Sequence, residues 1–338
     1  MKIEYINGYK FARMSDYVFS EVLTNKQFQE INPKNIEIIY SNNSHVCYQR
    51  KQLNISDGDT VFCVNSSLEL LFHHVKGENL KNLTLITSQT DDKISKKNIK
   101  KLPKQFSRWY SINVDCTDPQ LISIPLGLSN GYDKNLDLDD NVINIDLNSF
   151  TKRKENLLYL SFEDNTNIRH RSGLKNYFSQ FKWAKILYKK NEIVEYENDL
   201  RISNFVLCPQ GNGIDTHRIW ETLYCGSIPI IEDHIGFNQF KNLPIMFVDD
   251  FYKISEKSLE NFLDTLQVND LDMVDFHYWK NEILKKNHDS ENTLTKIINK
   301  KTFNYMTTKN NLKGKLLKIR NGYFRIIYKL KNKLSTQI

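Results

Sequence analysis

The sequence predicts an α/β fold in two halves, each a parallel sheet with helices on its faces. Short apolar runs of four to six residues, rich in β-branched and aromatic side chains, alternate with polar stretches of helical character. A polar, charged interval near the middle interrupts that rhythm, which then resumes. At 338 residues the chain is long enough for two domains with sizeable cores.

In the first half the predicted strands are Ile36–Tyr40, Thr60–Val64, Leu83–Thr87 and a weaker one over Trp109–Val114, with a helix over Ser67–Val75. A further strand enters a turn near Ser123–Gly127. The run "GYDKNLDLDDNVINIDLNSFTKRKE", from Gly131 to Glu155, has no sustained period and reads as a linker. Beyond it the predicted strands are Asn156–Phe162, Trp183–Leu187, Asn204–Cys208 and Ile228–Ile231. Helices are expected over Arg169–Phe181, about Tyr196–Ile202 and Thr216–Cys225. Strand–helix alternation of this kind gives two Rossmann-like units facing a cleft. The expected domains are 1–140, a linker 141–155, 156–300 and a basic tail 301–338.

Bulk properties narrow the class. Five scattered cysteines show neither CxxC spacing nor a disulfide framework, so free thiols in a reducing, cytoplasmic compartment are expected. The start reads as having no secretory signal, and no uncharged apolar run approaches the roughly 18 residues of a membrane span. Between Lys313 and Lys333 lie eight cations and no acid, so the net charge of +7 less these eight leaves −1 for the remainder. The basicity is a property of the tail, and no nucleic-acid partner is expected.

The stretch "CPQGNGIDTHRIWETLYCGSIPII", from Cys208 to Ile231, carries the most chemistry. Its first part is a loop leaving the carboxyl end of a predicted strand, the place where open parallel sheets bind ligands. Gly211 and Gly213 permit close approach to the backbone. Asp215 or Thr216 is placed to cap the following helix and Gly226 to end it. At about 100° per residue, Ile219, Trp220, Leu223 and Tyr224 share an arc that packs on the sheet, while Arg218, Glu221, Thr222 and Cys225 face the other way. Arg218 near a helix amino end suits a diphosphate, and Glu221 suits a ribose diol. A plain turn with a surface Arg–Glu pair fits the same spacing.

From Phe205 to Ile231 the sequence resembles the nucleotide-sugar signature of exostosin-like glycosyltransferases, roughly FxLCPRGxGxDSHRxWEAxxxGCIPV, with Gln210 in place of Arg and Ser227 in place of Cys. "DGDTVFCVNSSLELLF", "LTLITSQTDD" and "INVDCTDPQLISIPLGLSNG" resemble acceptor-side segments of the same group. The resemblance implies a GT-B arrangement of two Rossmann-like domains and transfer of a sugar from a nucleoside-diphosphate donor to a hydroxyl. It further implies inversion, no bound metal and no other cofactor, and favours UDP. Gly211, Asn212, Gly213, Asp215, Arg218 and Glu221 would then bind the donor, with Gln210 leaving more of the phosphate role to Arg218. Asn165, Arg169 and Arg171, after the first strand of the second half, are placed to reach a phosphate; Arg169 is the one assigned to the donor. Asp91, after Leu83–Thr87, is the expected general base, with Asp92 and Asp115 as alternatives. His217 fits a packed, hydrogen-bonded histidine or an acid. His73–His74 lacks zinc spacing, and no metal site is expected.

The tail, "LKGKLLKIRNGYFRIIYKLKNKL" from Leu312 to Leu334, places apolar residues at three- or four-residue steps among Lys315, Lys318, Arg320, Arg325 and Lys329. That is the pattern of an amphipathic helix on an anionic membrane surface, or of a terminal helix packed on the protein. The resulting expectation is an enzyme of surface polysaccharide or glycoconjugate synthesis, cytoplasmic or peripheral at the inner membrane face, acting on a glycan or lipid-linked glycan. The alternative is a non-catalytic nucleotide- or glycan-binding scaffold with a membrane-binding tail.

Overall fold

A computed structural model describes residues 1–130, 136, 142–188, 193–285 and 291–298. The expected amphipathic tail, with Lys315, Lys318, Arg320, Arg325 and Lys329, lies outside these residues, as does most of Gly131–Val142.

Two five-stranded sheets organise a mixed α/β fold. In the first, the order is Leu121–Ser123, Phe106–Ser111, Leu83–Thr87, Thr60–Cys63 and Tyr17–Val18, with every pairing parallel. In the second, the order is Ala184–Ile186, Asn156–Leu160, Ser203–Leu207, Ile228–Glu232 and Met246–Val248, again all parallel. The central strands are short apolar runs, such as Thr60–Cys63 (TVFC), buried along their whole length. A run of this kind is too short for a stable helix and has no polar face to give to water, so it belongs inside a parallel sheet. Helices Leu68–Val75, Ile193–Arg201 and His217–Tyr224 each cover a sheet with one apolar face.

Several expectations are corrected. Ile36–Ser41 is a strand, but it pairs antiparallel with His45–Arg50, which in turn pairs antiparallel with Ser20–Thr24. The strand expected at Trp109–Val114 begins earlier, at Phe106, and ends at Ser111. The helix expected over Arg169–Phe181 is two, Ile168–Arg171 and Leu174–Phe178, parted at Gly173 with φ +82°. A left-handed residue cannot continue a right-handed helix.

The halves also exchange chain. Thr293–Ile297, placed with the second domain by sequence, pairs antiparallel with Gln52–Ser56 of the first half. Lys2–Glu4 pairs with Val142–Asn144, inside the expected linker. One core cluster runs through both halves, joining Phe11, Phe62 and Tyr110 to Leu158, Trp220 and Trp279. Deep within it the Tyr224 hydroxyl accepts from the Ile6 N–H (2.9 Å) and donates to the Val274 carbonyl (2.8 Å). All five cysteines are free and buried. Among the described residues no helix is long and apolar enough to cross a membrane.

Gly127 shows how tightly the first half is packed where it meets the second. Its φ is +68°, and a Cβ there would lie 2.1 Å from the Ile6 carbonyl oxygen. The Leu128 N–H donates to that same carbonyl at 2.8 Å, so the oxygen has little room to retreat. Gly127→Ala is therefore expected to lower stability by at least about 2 kcal/mol. Urea unfolding checks this, and an unchanged midpoint would contradict it.

Candidate functional site

The loops that follow Leu83–Thr87 and Ser203–Leu207 leave the carboxyl ends of their strands and meet. The meeting is fixed by short polar contacts. Asn113 stands in the left-handed region (φ +55°); its side chain accepts from the Asp215 N–H (2.9 Å) and donates to the Thr90 carbonyl (3.0 Å). A Cβ on Gly213 would lie 2.7 Å from the Asn113 side-chain oxygen, so the loop passes there as glycine. The Asp215 carboxylate accepts from the Leu126 N–H and from the Trp220 indole, each at 2.8 Å. His217 Nδ1 lies 2.7 Å from the Gly127 carbonyl oxygen. Thr216 is the extended cap residue of the His217–Tyr224 helix but makes no side-chain cap bond, and Gly226 follows the helix with φ +68°. The glycine stop is as expected. The Asp215 side chain, by contrast, joins the two halves.

Between the halves lies a cavity of about 530 Å³, within the roughly 300–1,000 Å³ of small-molecule sites. Its first-half wall includes Gly8, Ser88–Asp91, Leu126 and Asn130. Its second-half wall includes Phe162, Glu163, Arg171, Lys175, Tyr196, Gly211–Gly213, Asp215–Arg218 and Glu221. Ser88 Oγ, Gln89 Nε2, Thr216 Oγ1 and Arg218 Nε on these walls are buried with no hydrogen-bond partner in the fold. Buried polar groups are nearly always partnered, so such a cluster marks a wall whose hydrogen bonding the fold alone does not complete.

Of the residues singled out by sequence, Asp91, Gly211, Asn212, Gly213, Asp215, Arg218 and Glu221 line this cavity together. Arg169 does not; it is exposed and outside the cavity wall. Two residues on, Arg171 is 5% exposed and lies under the glycine loop. Its guanidinium donates to the carbonyls of Gln210 (3.0 Å), Glu163 (3.1 Å) and Pro209 (3.4 Å). A positive group thus stands beside Gln210 although the loop itself lacks the usual arginine. Glu221 is 2% exposed and accepts from the Tyr196 hydroxyl at 2.8 Å, which in turn hydrogen-bonds Arg218. Its carboxylate is thereby linked to the arginine through the Tyr196 hydroxyl, and Glu221 also lines the cavity. Asp92 and Asp115 are not on the cavity wall, and Asp115 pairs instead with His234 Nε2 (3.1 Å).

Sequence reading missed Lys175, Tyr196 and Asn113. Lys175 is 8% exposed, lines the cavity and stands over the Phe162 ring, 5.2 Å from its centroid. It falls in a different helix from Arg171, beyond Gly173, so the spacing of four gave no reliable signal. Tyr196 and Asn113 gave none, because their roles depend on contacts across the fold.

Burial shapes the charges. It pulls the Arg171 guanidinium down to about 10, with Arg218 adding to the effect. It also lowers the Lys175 ammonium; Asp164 and Glu163 oppose this, while Arg218 and Arg171 reinforce it. The three cations thus feel one another across the second-half wall. Partial burial raises the Asp91 carboxyl, against a hydrogen bond from Asn212 and the proximity of His217. Full burial pushes Asp215 up to about 7 despite its donors at Leu126, Trp220 and Thr216. Among the described residues no group of three or more His, Cys, Asp or Glu side chains is placed to hold a metal ion.

Residues 166–256 match the family model described as the RXYLT1 C-terminal domain. That segment holds the second-half wall from Arg171 to Glu221 but not Phe162 or Glu163, and the match supports a relation to a glycosyltransferase family. No curated protein matches the chain.

Asp215 gives the site a pH signature. Its folded value stands above the ordinary carboxylate value, so the native state holds this proton more tightly than the unfolded chain does. The linked stability is complete below about pH 4. It falls as pH rises and is lost above about 7. Asp215→Asn cannot ionise, so the difference in melting temperature between variant and wild type should move in the variant's favour from pH 4 to 7. A gap independent of pH would contradict this.

Proposed function

We propose that the protein is an inverting, metal-independent glycosyltransferase of GT-B arrangement, moving a sugar from a nucleoside-diphosphate donor, UDP above GDP, to a glycan hydroxyl. One observation carries the reading. Arg171, Lys175 and Arg218 converge on a cavity beside a glycine loop and helix amino end, inside the segment that matches the RXYLT1 C-terminal domain. Two buried cations and an arginine held by Tyr196–Glu221 form a preorganised positive wall, the arrangement that stabilises charge developing on a departing diphosphate. The Gly211–Gly213 loop lines the same cavity, and its glycines let an anion approach the backbone closely.

In the proposed reaction an acceptor oxygen bonds to the anomeric carbon from the face opposite the diphosphate. The carbon–oxygen bond to the diphosphate breaks, and its electron pair leaves with the phosphate oxygen. The acceptor loses its proton beside Asp91, the carboxylate of the first-half wall. Work on a surface polysaccharide or lipid-linked glycan at the cytoplasmic face of a membrane, with the basic tail as anchor, completes the proposal.

A thermal-shift panel of UDP- and GDP-sugars that includes UDP-xylose tests the donor, because a ligand selective for the native state raises its melting temperature. Lys175→Met and Arg218→Ala should each weaken UDP binding at least about 10-fold, the cost of a lost charge-assisted contact. Asp91→Asn should keep UDP affinity within about 3-fold and lower hydrolysis of the bound donor by about 10² or more. Binding with no hydrolysis or transfer by the wild type would favour a non-catalytic scaffold, and no nucleotide binding at all would refute the proposal.

A further inference from the structure

We infer that His217 Nε2 is the atom that takes the acceptor's proton, with Asp91 as the charge that stabilises the imidazolium formed. The inference rests on the glycosyl-transfer reading above. Its first support is the contact of His217 Nδ1 with the Gly127 carbonyl oxygen at 2.7 Å. A carbonyl has no proton to give, so Nδ1 carries the hydrogen, and the neutral ring turns the lone pair of Nε2 the other way.

The second support is where that lone pair lies. His217 lines the cavity, and among the described residues Nε2 has no hydrogen-bond partner and is not sealed from solvent. Three of the four carboxylates on the walls already accept hydrogen bonds within the fold. Asp215 accepts from Leu126 and Trp220, Glu221 from Tyr196, and Asp91 from Asn212. Glu163 lies on the Lys175 side, where its charge offsets the ammonium.

The third support is rigidity. The carbonyl that holds the ring belongs to Gly127, whose left-handed backbone is wedged against the Ile6 carbonyl. Ring orientation is therefore set by the seam between the halves, before any ligand arrives. Asp91 lines the same cavity as His217 from the opposite half. Arg218, next in the chain, directs the opposing positive charge to the cation wall. A base aimed by a carbonyl, with a carboxylate beside it, is a working general-base arrangement.

The step balances simply. The acceptor O–H bond breaks as its oxygen bonds to the anomeric carbon, and the proton moves to Nε2. The electron pair of the severed bond goes to the diphosphate, and the imidazolium later returns its proton to solvent. Water takes the place of the acceptor hydroxyl in donor hydrolysis, which makes the step measurable without the natural acceptor.

The test compares full-length His217→Gln, Asp91→Asn and wild type for UDP affinity, melting temperature and rate of UDP-sugar hydrolysis against pH. Glutamine can occupy the position but cannot accept a proton. Expected for His217→Gln is UDP affinity within about 3-fold of wild type, hydrolysis lower by about 10²–10⁴, and loss of the acid limb of the pH profile. Asp91→Asn should keep that limb at reduced amplitude. Hydrolysis by His217→Gln above a tenth of the wild-type rate, or an acid limb that disappears only with Asp91→Asn, would overturn the inference. UDP binding by the wild type separates this failure from failure of the transfer reading, since absence of binding removes both. For wild type alone, a ¹⁵N spectrum of the imidazoles should show His217 in the Nδ1–H form, and the Nε2–H form would also overturn it.

Discussion

The Asp215 carboxylate, held by the Leu126 N–H of one half and the Trp220 indole of the other, is the contact on which the site's shape depends. Around it the Asn113 side chain fixes the Asp215 N–H and the Gly127 carbonyl fixes His217. Asp215 and His217, on either side of Thr216, are thus pinned or aimed by the first half. A hydrogen bond between neutral groups contributes about 1 kcal/mol in net stability, but a buried group left without its partner costs more, so each contact resists being broken singly. The glycine loop cannot drift from the strand ends opposite, and the cavity keeps its width.

Electrostatics pull against that rigidity. Placing Arg171 and Lys175 where little solvent reaches them, beside Arg218, is unfavourable for each, and burial lowers both pKa values for that reason. Arg171 is compensated by three carbonyls and Lys175 by an aromatic face, while Tyr196 and Glu221 hold Arg218. Carbonyls, an aromatic ring and the nearby carboxylates of Asp164, Glu163 and Glu221 offset part of the positive charge. An arriving diphosphate would gain what the fold has set aside, which is preorganisation in its usual sense. The opposite wall, with Asp91, has the contrary sign. A sugar lying between them would have its leaving group on one side and its attacking hydroxyl on the other.

Much of this was legible before any coordinates. Runs such as TVFC and SNFVL are short, apolar and bounded by polar residues, so they announce buried parallel strands, and the turn after each announces a strand end. Gly211, Gly213, Arg218 and Asp91 were readable because the types of residue and their place after a strand already limit what they can face. The antiparallel strands Ser20–Thr24 and His45–Arg50 were not readable, since polar ends mask their alternation and their pairing is non-local. Arg169 was preferred to Arg171 because spacing alone cannot tell which side of a short helix faces inward. Arg171 ends the first short helix just before Gly173, and its guanidinium reaches the carbonyls of Pro209 and Gln210 beneath the loop. Glu221 looked solvent-facing on the helical wheel, yet Tyr196 arrives from another helix and covers it. The return of Thr293–Ile297 to the first half is likewise a fact of tertiary pairing, invisible to local pattern.

The central proposal is that two loops, one from each half, enclose a single cavity that takes the donor, its diphosphate against the second half. Amide hydrogen exchange of the full chain, with and without saturating UDP, tests it most directly. The account predicts slowed exchange in both the Gly211–Arg218 segment and the Ser88–Asp91 segment, with little change on the antiparallel sheet around His45–Arg50. Protection confined to one half, or appearing away from both loops, would contradict it.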